Sequence, residues 1–254
     1  MGLEMPTLFD GTHGTDDIVE ILSRMQANCS QPSSNSRKLW RLRRAACVTA
    51  HNRSRETLLE KAVAMLACNG YMPEWFNQCP VASGIGDSTG GKRRCVDLVH
   101  WRGADSRLSL IELKWDSDTA SKAMWQILRY GAAYLFCRTY RERLPVDEQA
   151  MSATHVALRI AAPSPYYAED GFMDCLSRAR VGLRSIGDEP GARGLSMSLD
   201  ALAFPEWFDR LPFSDGAEVR NACDRPELTE KGRMVIDAFD GLTSVCPDRM
   251  RAKE

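Results

Sequence analysis

The chain has 254 residues, of which 33 are Lys or Arg and 34 are Asp or Glu, so its formal charge at pH 7 is -1. With 44% hydrophobic and 26% charged residues it can build a packed core, which excludes a disordered chain. No apolar run approaches the roughly 18 residues of a membrane span, and the N-terminus lacks the features of a signal peptide. We therefore expect a cytoplasmic globular protein with no membrane partner.

Zinc binding is not expected from the cysteines and histidines. The nine cysteines are scattered without a C-x-x-C pair, and each of the four histidines stands alone in its neighbourhood. Structural zinc sites need closely spaced ligand pairs. We therefore expect reduced thiols and no zinc.

Residues 1–53 are predicted to form a helical extension. Thr15 caps a short helix that ends near residue 27, and a Ser- and Pro-rich linker covers residues 30–36. In residues 37–50 leucine and alanine alternate with arginine and lysine at helical spacing, which predicts a basic amphipathic helix. Its charged face can be a solvated surface or can contact phosphates, and both interpretations stay open.

Residues 54–212 form the predicted core, in which helices and strands alternate. A helix over residues 54–68 ends at Asn69-Gly70 and precedes a basic glycine-rich loop over residues 82–94. The predicted elements that follow are strands 95–101 and 108–115, helix 119–137, strand 154–161, helix 171–186 and strand 195–204. The two strands 95–101 and 108–115 should form an antiparallel hairpin. This order predicts an α/β fold, and residues 213–254 form a C-terminal appendage with one helix over residues 229–239.

Acidic and basic side chains interrupt the predicted hairpin strands. Glu112 and Lys114 alternate with apolar residues, so both point to the same face of the second strand. Asp97 lies in the first strand and can approach Glu112 across the hairpin. Burying charged groups is costly unless they are paired or bind something. The hairpin is therefore the first candidate for a functional site.

Two carboxylates and a backbone carbonyl are the hard oxygen ligands that Mg²⁺ prefers. Asp97, Glu112 and the carbonyl of Leu113 could supply them, and Mn²⁺ is a substitute for such a site. Lys114 would then lie beside a metal-bound water and could orient or deprotonate it. The alternative interpretation is a salt-bridged pair on a half-exposed strand.

Residues 56–136 resemble the PD-(D/E)XK nuclease superfamily. A carboxylate in one strand is followed by E-x-K in the next, and Gln126 and Tyr130 look like the Q-x-x-x-Y motif of its RecB-like branches. The resemblance implies a restriction-endonuclease-like αβββαβ core with a mixed central sheet flanked by helices. It also implies that Asp97 and Glu112 hold the metal, that Lys114 is the catalytic lysine, and that Gln126 and Tyr130 orient substrate or support the site.

The resemblance further implies an acid on the helix that precedes the strands. Glu60 matches by its distance from the Asn69-Gly70 break, whereas Glu56 lies closer to the apolar face, so Glu60 is the first candidate and Glu56 stays open. Val96 stands where the family name has proline, a position that the family leaves degenerate.

These features predict a Mg²⁺-dependent nuclease that hydrolyses DNA phosphodiester bonds, with RNA as an alternative substrate. Because the chain is nearly neutral, its affinity for nucleic acid must be local. We expect it to come from the basic residues of 37–55 and from Lys92, Arg93, Arg94 and Lys122. A protein partner or a homo-oligomer stays open.

The sequence allows three alternative interpretations. Residues 86–92 satisfy G-x-x-x-x-G-K, but Arg93 replaces the required Ser or Thr and a strand follows, which argues against nucleotide hydrolysis. A catalytically silent nuclease-fold module would bind nucleic acid or a protein without cutting. A purely structural salt bridge predicts that Glu112→Gln changes stability alone.

Overall fold

The computed structural model describes residues 39–81, 95–184, 192–225 and 227–245. The predicted helix that ends near residue 27, the linker that follows it and the glycine-rich loop over residues 82–94 lie outside these ranges. Within the described ranges, no helix is both long and apolar enough to cross a lipid bilayer. The seven cysteines in these ranges are free thiols.

The described ranges contain six α-helices and six strands. The helices are α1 (Arg55–Cys68), α2 (Ala120–Thr139), α3 (Glu148–Met151), α4 (Phe172–Arg184), α5 (Gly216–Cys223) and α6 (Glu230–Asp240). The strands are β1 (Trp75–Pro80), β2 (Cys95–Arg102), β3 (Arg107–Leu113), β4 (His155–Ala162), β5 (Ser196–Ala203) and β6 (Thr243–Ser244). The α/β class is confirmed, and the helices and strands predicted over residues 54–204 are present in the predicted order, with β1 and α3 in addition.

The strands form one mixed sheet in the order β1-β2-β3-β4-β5-β6. Strands β1, β2 and β3 are antiparallel neighbours, which confirms the predicted hairpin, and β3, β4 and β5 run parallel to one another. Strand β6 returns antiparallel to β5. The carboxyl ends of the three parallel strands therefore meet at one edge of the sheet, beside the start of β2.

Both faces of the sheet are covered by helices. Leu110, Ile127 and Leu158 belong to the core under α2 and α4, whereas Leu59 and Ile111 belong to the core under α1, α5 and α6. Helices α5 and α6, from the predicted C-terminal appendage, pack against α1. Successive residues of β3 thus enter opposite cores, as the period of a strand requires.

The basic helix predicted over residues 37–50 is wrong for the described part, because residues 41–49 have no helical structure. Leu39 bridges to Val146, and the Trp40 amide donates to the carbonyl of Pro80 at 2.8 Å. The Arg43 Nε donates to the Gln78 carbonyl at 2.8 Å. The backbone groups of this segment form hydrogen bonds with neighbouring elements instead of with one another in helical turns. The helical spacing of its apolar residues therefore predicted the wrong structure.

Four elements were not predicted: strand β1, helix α5 and the short elements α3 and β6, which have 4 and 2 residues. Strand β1 has the buried polar residue Asn77 at its centre and Gln78 at φ 48, so its sequence lacks the apolar alternation that indicates a strand. Helix α5 has only 8 residues, which is too short for its apolar period to stand out.

Candidate functional site

Asp97, Glu112 and Lys114 meet where the β2–β3 hairpin opens. Leu98 of β2 pairs with Ile111 of β3. One residue further from the hairpin turn on each strand, Asp97 lies opposite Glu112. The Leu113 amide donates to Asp97 Oδ2 at 3.0 Å. The carboxylate thus takes the place of a backbone carbonyl as the acceptor on the neighbouring strand. Lys114 Nζ lies 3.1 Å from Glu112 Oε1. The structure thus brings together the three residues that the sequence analysis selected.

Glu112 continues the apolar face of β3 that packs under helix α2. Leu108 and Leu110 precede it on that face at alternate positions, and all three are buried. Glu112 is only 2% exposed, and Lys114 is 8% exposed. Two ionisable groups therefore stand at the end of a hydrophobic strand with little access to water.

Burial and like charge both disfavour ionisation of the two carboxyl groups. Burial, with the charge of Asp97 adding to it, raises the pKa of Glu112 well above its usual value. Burial also raises the pKa of Asp97 to about 7. The hydrogen bond from the Leu113 amide opposes this rise, and the charge of Glu60 adds to it. Burial tends to lower the pKa of Lys114, but its pairing with Glu112 outweighs this and raises it. Lys114 is therefore held as a cation between acids that repel one another.

The residues present fit a divalent cation. Glu112 Oε2 is buried and has no hydrogen-bond partner among the described residues. A cation between Asp97 and Glu112 would give that oxygen a partner and would remove the repulsion between the two carboxylates. In the described ranges no three His, Cys, Asp or Glu side chains are arranged to hold a metal together. Two carboxylates are nevertheless enough for Mg²⁺, which keeps several waters, and the Leu113 carbonyl stays a predicted third ligand.

Both helical acids approach this site from α1. Glu56 Oε1 accepts from the Trp115 amide at 3.1 Å and also from the Ser117 hydroxyl. Glu60 is buried, and its charge raises the pKa of Asp97 more strongly than that of Glu56 does. Glu56 fixes the chain just after the E-x-K motif, whereas Glu60 is the closer electrostatic neighbour of Asp97, so both acids border the site.

Asn77 is a site residue that the sequence analysis missed. Its side chain is fully buried, donates to Glu60 Oε1 at 2.5 Å and also donates to the Ala45 carbonyl at 3.1 Å. Lys61 Nζ lies 3.2 Å from the same Glu60 oxygen. Burial raises the pKa of Glu60, and the charge of Lys61 and the bond from Asn77 oppose this rise. A polar residue at the centre of a strand was the only signal in the sequence that could have identified Asn77.

Asp118 and Tyr166 were also missed. Asp118 Oδ2 lies 3.7 Å from Lys114 Nζ, and its other oxygen lies 3.9 Å from Lys122 Nζ. The Tyr166 hydroxyl donates to the Thr119 carbonyl at 2.9 Å. Burial raises the pKa of Tyr166, and the charges of Asp118 and other nearby acids add to this. Tyr166 follows β4, so only the tertiary fold brings it here.

The remaining predicted residues lie on α2 or outside the described ranges. Gln126 Nε2 donates to the Tyr130 hydroxyl at 3.0 Å, so the two residues of the Q-x-x-x-Y pattern support each other one helical turn apart. Lys122 is exposed and borders the site through Asp118. The basic residues Lys92, Arg93 and Arg94 lie outside the described residues, and their role stays a prediction.

We expect the metal-free protein to lose stability as the pH rises from the usual pKa of an aspartate towards the raised pKa of Asp97. Between its usual value of 3.8 and about 7, the folded protein binds a proton that the unfolded chain has released, so raising the pH costs folding free energy. Chemical denaturation in EDTA should show a loss on the order of 2 kcal/mol between pH 5 and pH 8. Asp97→Asn, which can still accept from the Leu113 amide, should flatten this dependence; an equally steep dependence in that variant would contradict the assignment.

Comparisons of this chain with protein-family models, with curated proteins and with solved structures found no match.

Proposed function

We propose that this protein is a metal-dependent nuclease that hydrolyses DNA phosphodiester bonds. The observation that carries the proposal is the buried, unpartnered Glu112 Oε2 beside Asp97 and the Lys114 ammonium. The helix, three antiparallel strands, helix and parallel strand from α1 to β4 support it, because this is the order that the resemblance implies. Cofactor, substrate and reaction are all part of the proposal.

Asp97, Glu112 and the Leu113 carbonyl would hold Mg²⁺, with Mn²⁺ as a substitute. When bound, the ion would supply an activated water at neutral pH and would offset charge on the scissile phosphate. The two carboxylates face each other from adjacent strands, and the Leu113 amide fixes Asp97. The ligands are therefore held before metal arrives, which lowers the cost of binding.

Lys114 acts as a fixed cation in this proposal. Its raised pKa keeps it protonated at neutral pH, so it donates hydrogen bonds and does not accept a proton at the outset. A donor beside the attacking water and the phosphate can orient the first and stabilise the charge that develops on the second. Glu112 on one side and Asp118 on the other hold the ammonium in place.

Incubation of the purified protein with linear, circular and single-stranded DNA tests the function. We expect cleavage with Mg²⁺ or Mn²⁺ and none with EDTA, and the form of DNA that is cut will distinguish internal from terminal cleavage. A single-stranded RNA in parallel tests the alternative substrate. DNA binding without cleavage under any of these metals would contradict the proposal and favour a catalytically silent module.

Charge reversal of Lys92, Arg93 and Arg94 to glutamate should weaken DNA binding. Each phosphate contact that is lost lowers the slope of log affinity against log salt by about 0.9 for duplex DNA. Fluorescence anisotropy over a salt series measures both the affinity and this slope. An unchanged slope would remove the loop from the DNA interface, and charge reversal at the exposed Lys231, on α6, is the control.

A further inference from the structure

A cavity of about 590 Å³ lies on the face of the sheet that α6 covers, away from the candidate active site. Trp75, His100 and Arg159 line its sheet side, and Phe239 and Leu242 line the opposite side. Its volume is in the range of small-molecule sites.

At β3 the cavity and Glu112 lie on opposite faces of the sheet, because Ile111 lines the cavity and Glu112 shares the face of Leu110. Glu56, in the first turn of α1, contacts the chain after β3, whereas Met72, just beyond the end of α1, lines the cavity. The helix has 14 residues, which corresponds to about 20 Å. The cavity is therefore a second candidate site and not an extension of the first.

Arg159 brings an unpaired charge to this cavity. It lies on the central strand β4, between Ile111 and Asp200 on the neighbouring strands. Its Nε is buried without a hydrogen-bond partner, and none of the hydrogen bonds or ion pairs of the described residues involves its guanidinium. The Asp200 carboxylate lies 3.4 Å from Arg180 Nη2 instead. An unpaired guanidinium in a partly buried position calls for an anion.

Further arginines share this face of the sheet. Arg102 pairs directly with Arg107 across β2 and β3, and direct cross-strand partners point to the same side. Arg107 also has a buried Nε without a partner. Burial lowers the pKa of Arg159; Asp200 opposes this, and the charges of Arg107 and Arg102 add to it. Because the neighbouring cations repel Arg159, an anion bound among them would gain more electrostatic binding free energy.

The rest of the cavity is lined by aromatic side chains and by carboxylates that accept hydrogen bonds. Trp75 stacks on His100 at 4.7 Å between ring centroids and makes an edge contact with Phe239 at 4.9 Å. Glu74 and Asp240 also line the cavity, and the Glu74 carboxylate lies 3.4 Å from His100 Nε2. Ionised carboxylates only accept hydrogen bonds, so the part of a ligand that reaches them must donate.

We propose that this cavity binds an organic anion, with a phosphate or carboxylate on Arg159 and an aromatic or apolar body against Trp75 and Phe239. The proposal goes beyond the nuclease function and does not depend on it. The guanidinium forms paired hydrogen bonds with either kind of anion, so its geometry suits both. The apolar walls add burial energy that a bare inorganic ion could not use.

Thermal shift and calorimetric titration of the full chain test the proposal, with AMP, benzoate, inorganic phosphate and adenosine as probes. We expect AMP, benzoate or both to bind and to raise the melting temperature, phosphate to bind more weakly, and adenosine not to bind. Binding of AMP alone would identify the head group as a phosphate, and binding of benzoate alone would identify it as a carboxylate. If none of the three anions binds, the proposal is wrong.

Arg159→Met should weaken binding of the active probe by about 10- to 100-fold, because a charge-assisted hydrogen bond is lost. Arg159→Lys should lie between Arg159→Met and the wild type, since a lysine keeps the charge and loses the paired geometry. Arg220→Met, at an exposed position of α5, is the matched control and should bind as the wild type does. Without ligand, Arg159→Met should be at least as stable as the wild type. Unchanged affinity in Arg159→Met, or a large loss of its stability, would overturn the proposal.

Discussion

Lys114→Met should lower the rate of DNA cleavage by about 10²–10³-fold or more, because it removes a cation that stabilises developing charge. Methionine keeps an apolar stem of similar length, so the packing at the end of β3 should survive. Single-turnover cleavage at saturating protein measures the chemical step without a contribution from binding. DNA affinity, measured by anisotropy, should change far less than the rate.

The same substitution leaves Glu112 buried beside Asp97 without its ion-pair partner. Breaking a buried pair in this way costs about 3–5 kcal/mol, and the cost should be smaller at low pH, where Glu112 can take up a proton. Circular dichroism at the assay temperature must therefore show a folded variant. Lys231→Met, which removes an exposed lysine on α6, is the matched control. A folded Lys114→Met variant that cleaves at the wild-type rate would contradict a catalytic role.

Trp40→Ala should destabilise the protein by about 3–5 kcal/mol, the usual cost of truncating a large core aromatic. Trp40 is fully buried and makes an edge contact with Tyr134 at 5.4 Å, which anchors residues 39–50 to α2. Urea denaturation measures the loss. Trp207, with 51% of its surface exposed, gives the control, and Trp207→Ala should change stability by about 0.5 kcal/mol or less. A loss below about 1 kcal/mol in Trp40→Ala would mean that this segment is not part of the folded core.

Trp40 also shows where sequence reasoning failed. The apolar residues of 37–50 recur at helical spacing, but a short segment can satisfy its backbone through neighbours, here the Pro80 carbonyl and the bridge to Val146. The local periodicity of the sequence cannot predict these hydrogen bonds, because the residues that form them are distant from the segment in sequence. Long, strongly periodic elements such as α2 were predicted correctly since their burial pattern dominates other preferences.

The candidate site was predictable only in part. Asp97, Glu112 and Lys114 stand out as ionisable residues inside apolar strands, and antiparallel pairing then brings them together. Asn77 and Tyr166 reach the site from β1 and from the turn after β4, through tertiary packing that no local pattern encodes. The unpaired guanidinium of Arg159 could not be predicted either, because Asp200 on the adjacent strand would have been its expected partner.

Glu112 provides the most direct test of the proposed nuclease. Wild type, Glu112→Gln and the control Glu142→Gln, at an exposed position after α2, are compared for Mn²⁺ binding by calorimetry and for metal-dependent DNA cleavage. The proposal predicts that wild type and the control bind Mn²⁺ and cut DNA, and that Glu112→Gln folds but does neither. Wild-type cleavage and metal binding in Glu112→Gln, with a change in stability alone, would show that Glu112 and Lys114 form a structural salt bridge and would contradict the account.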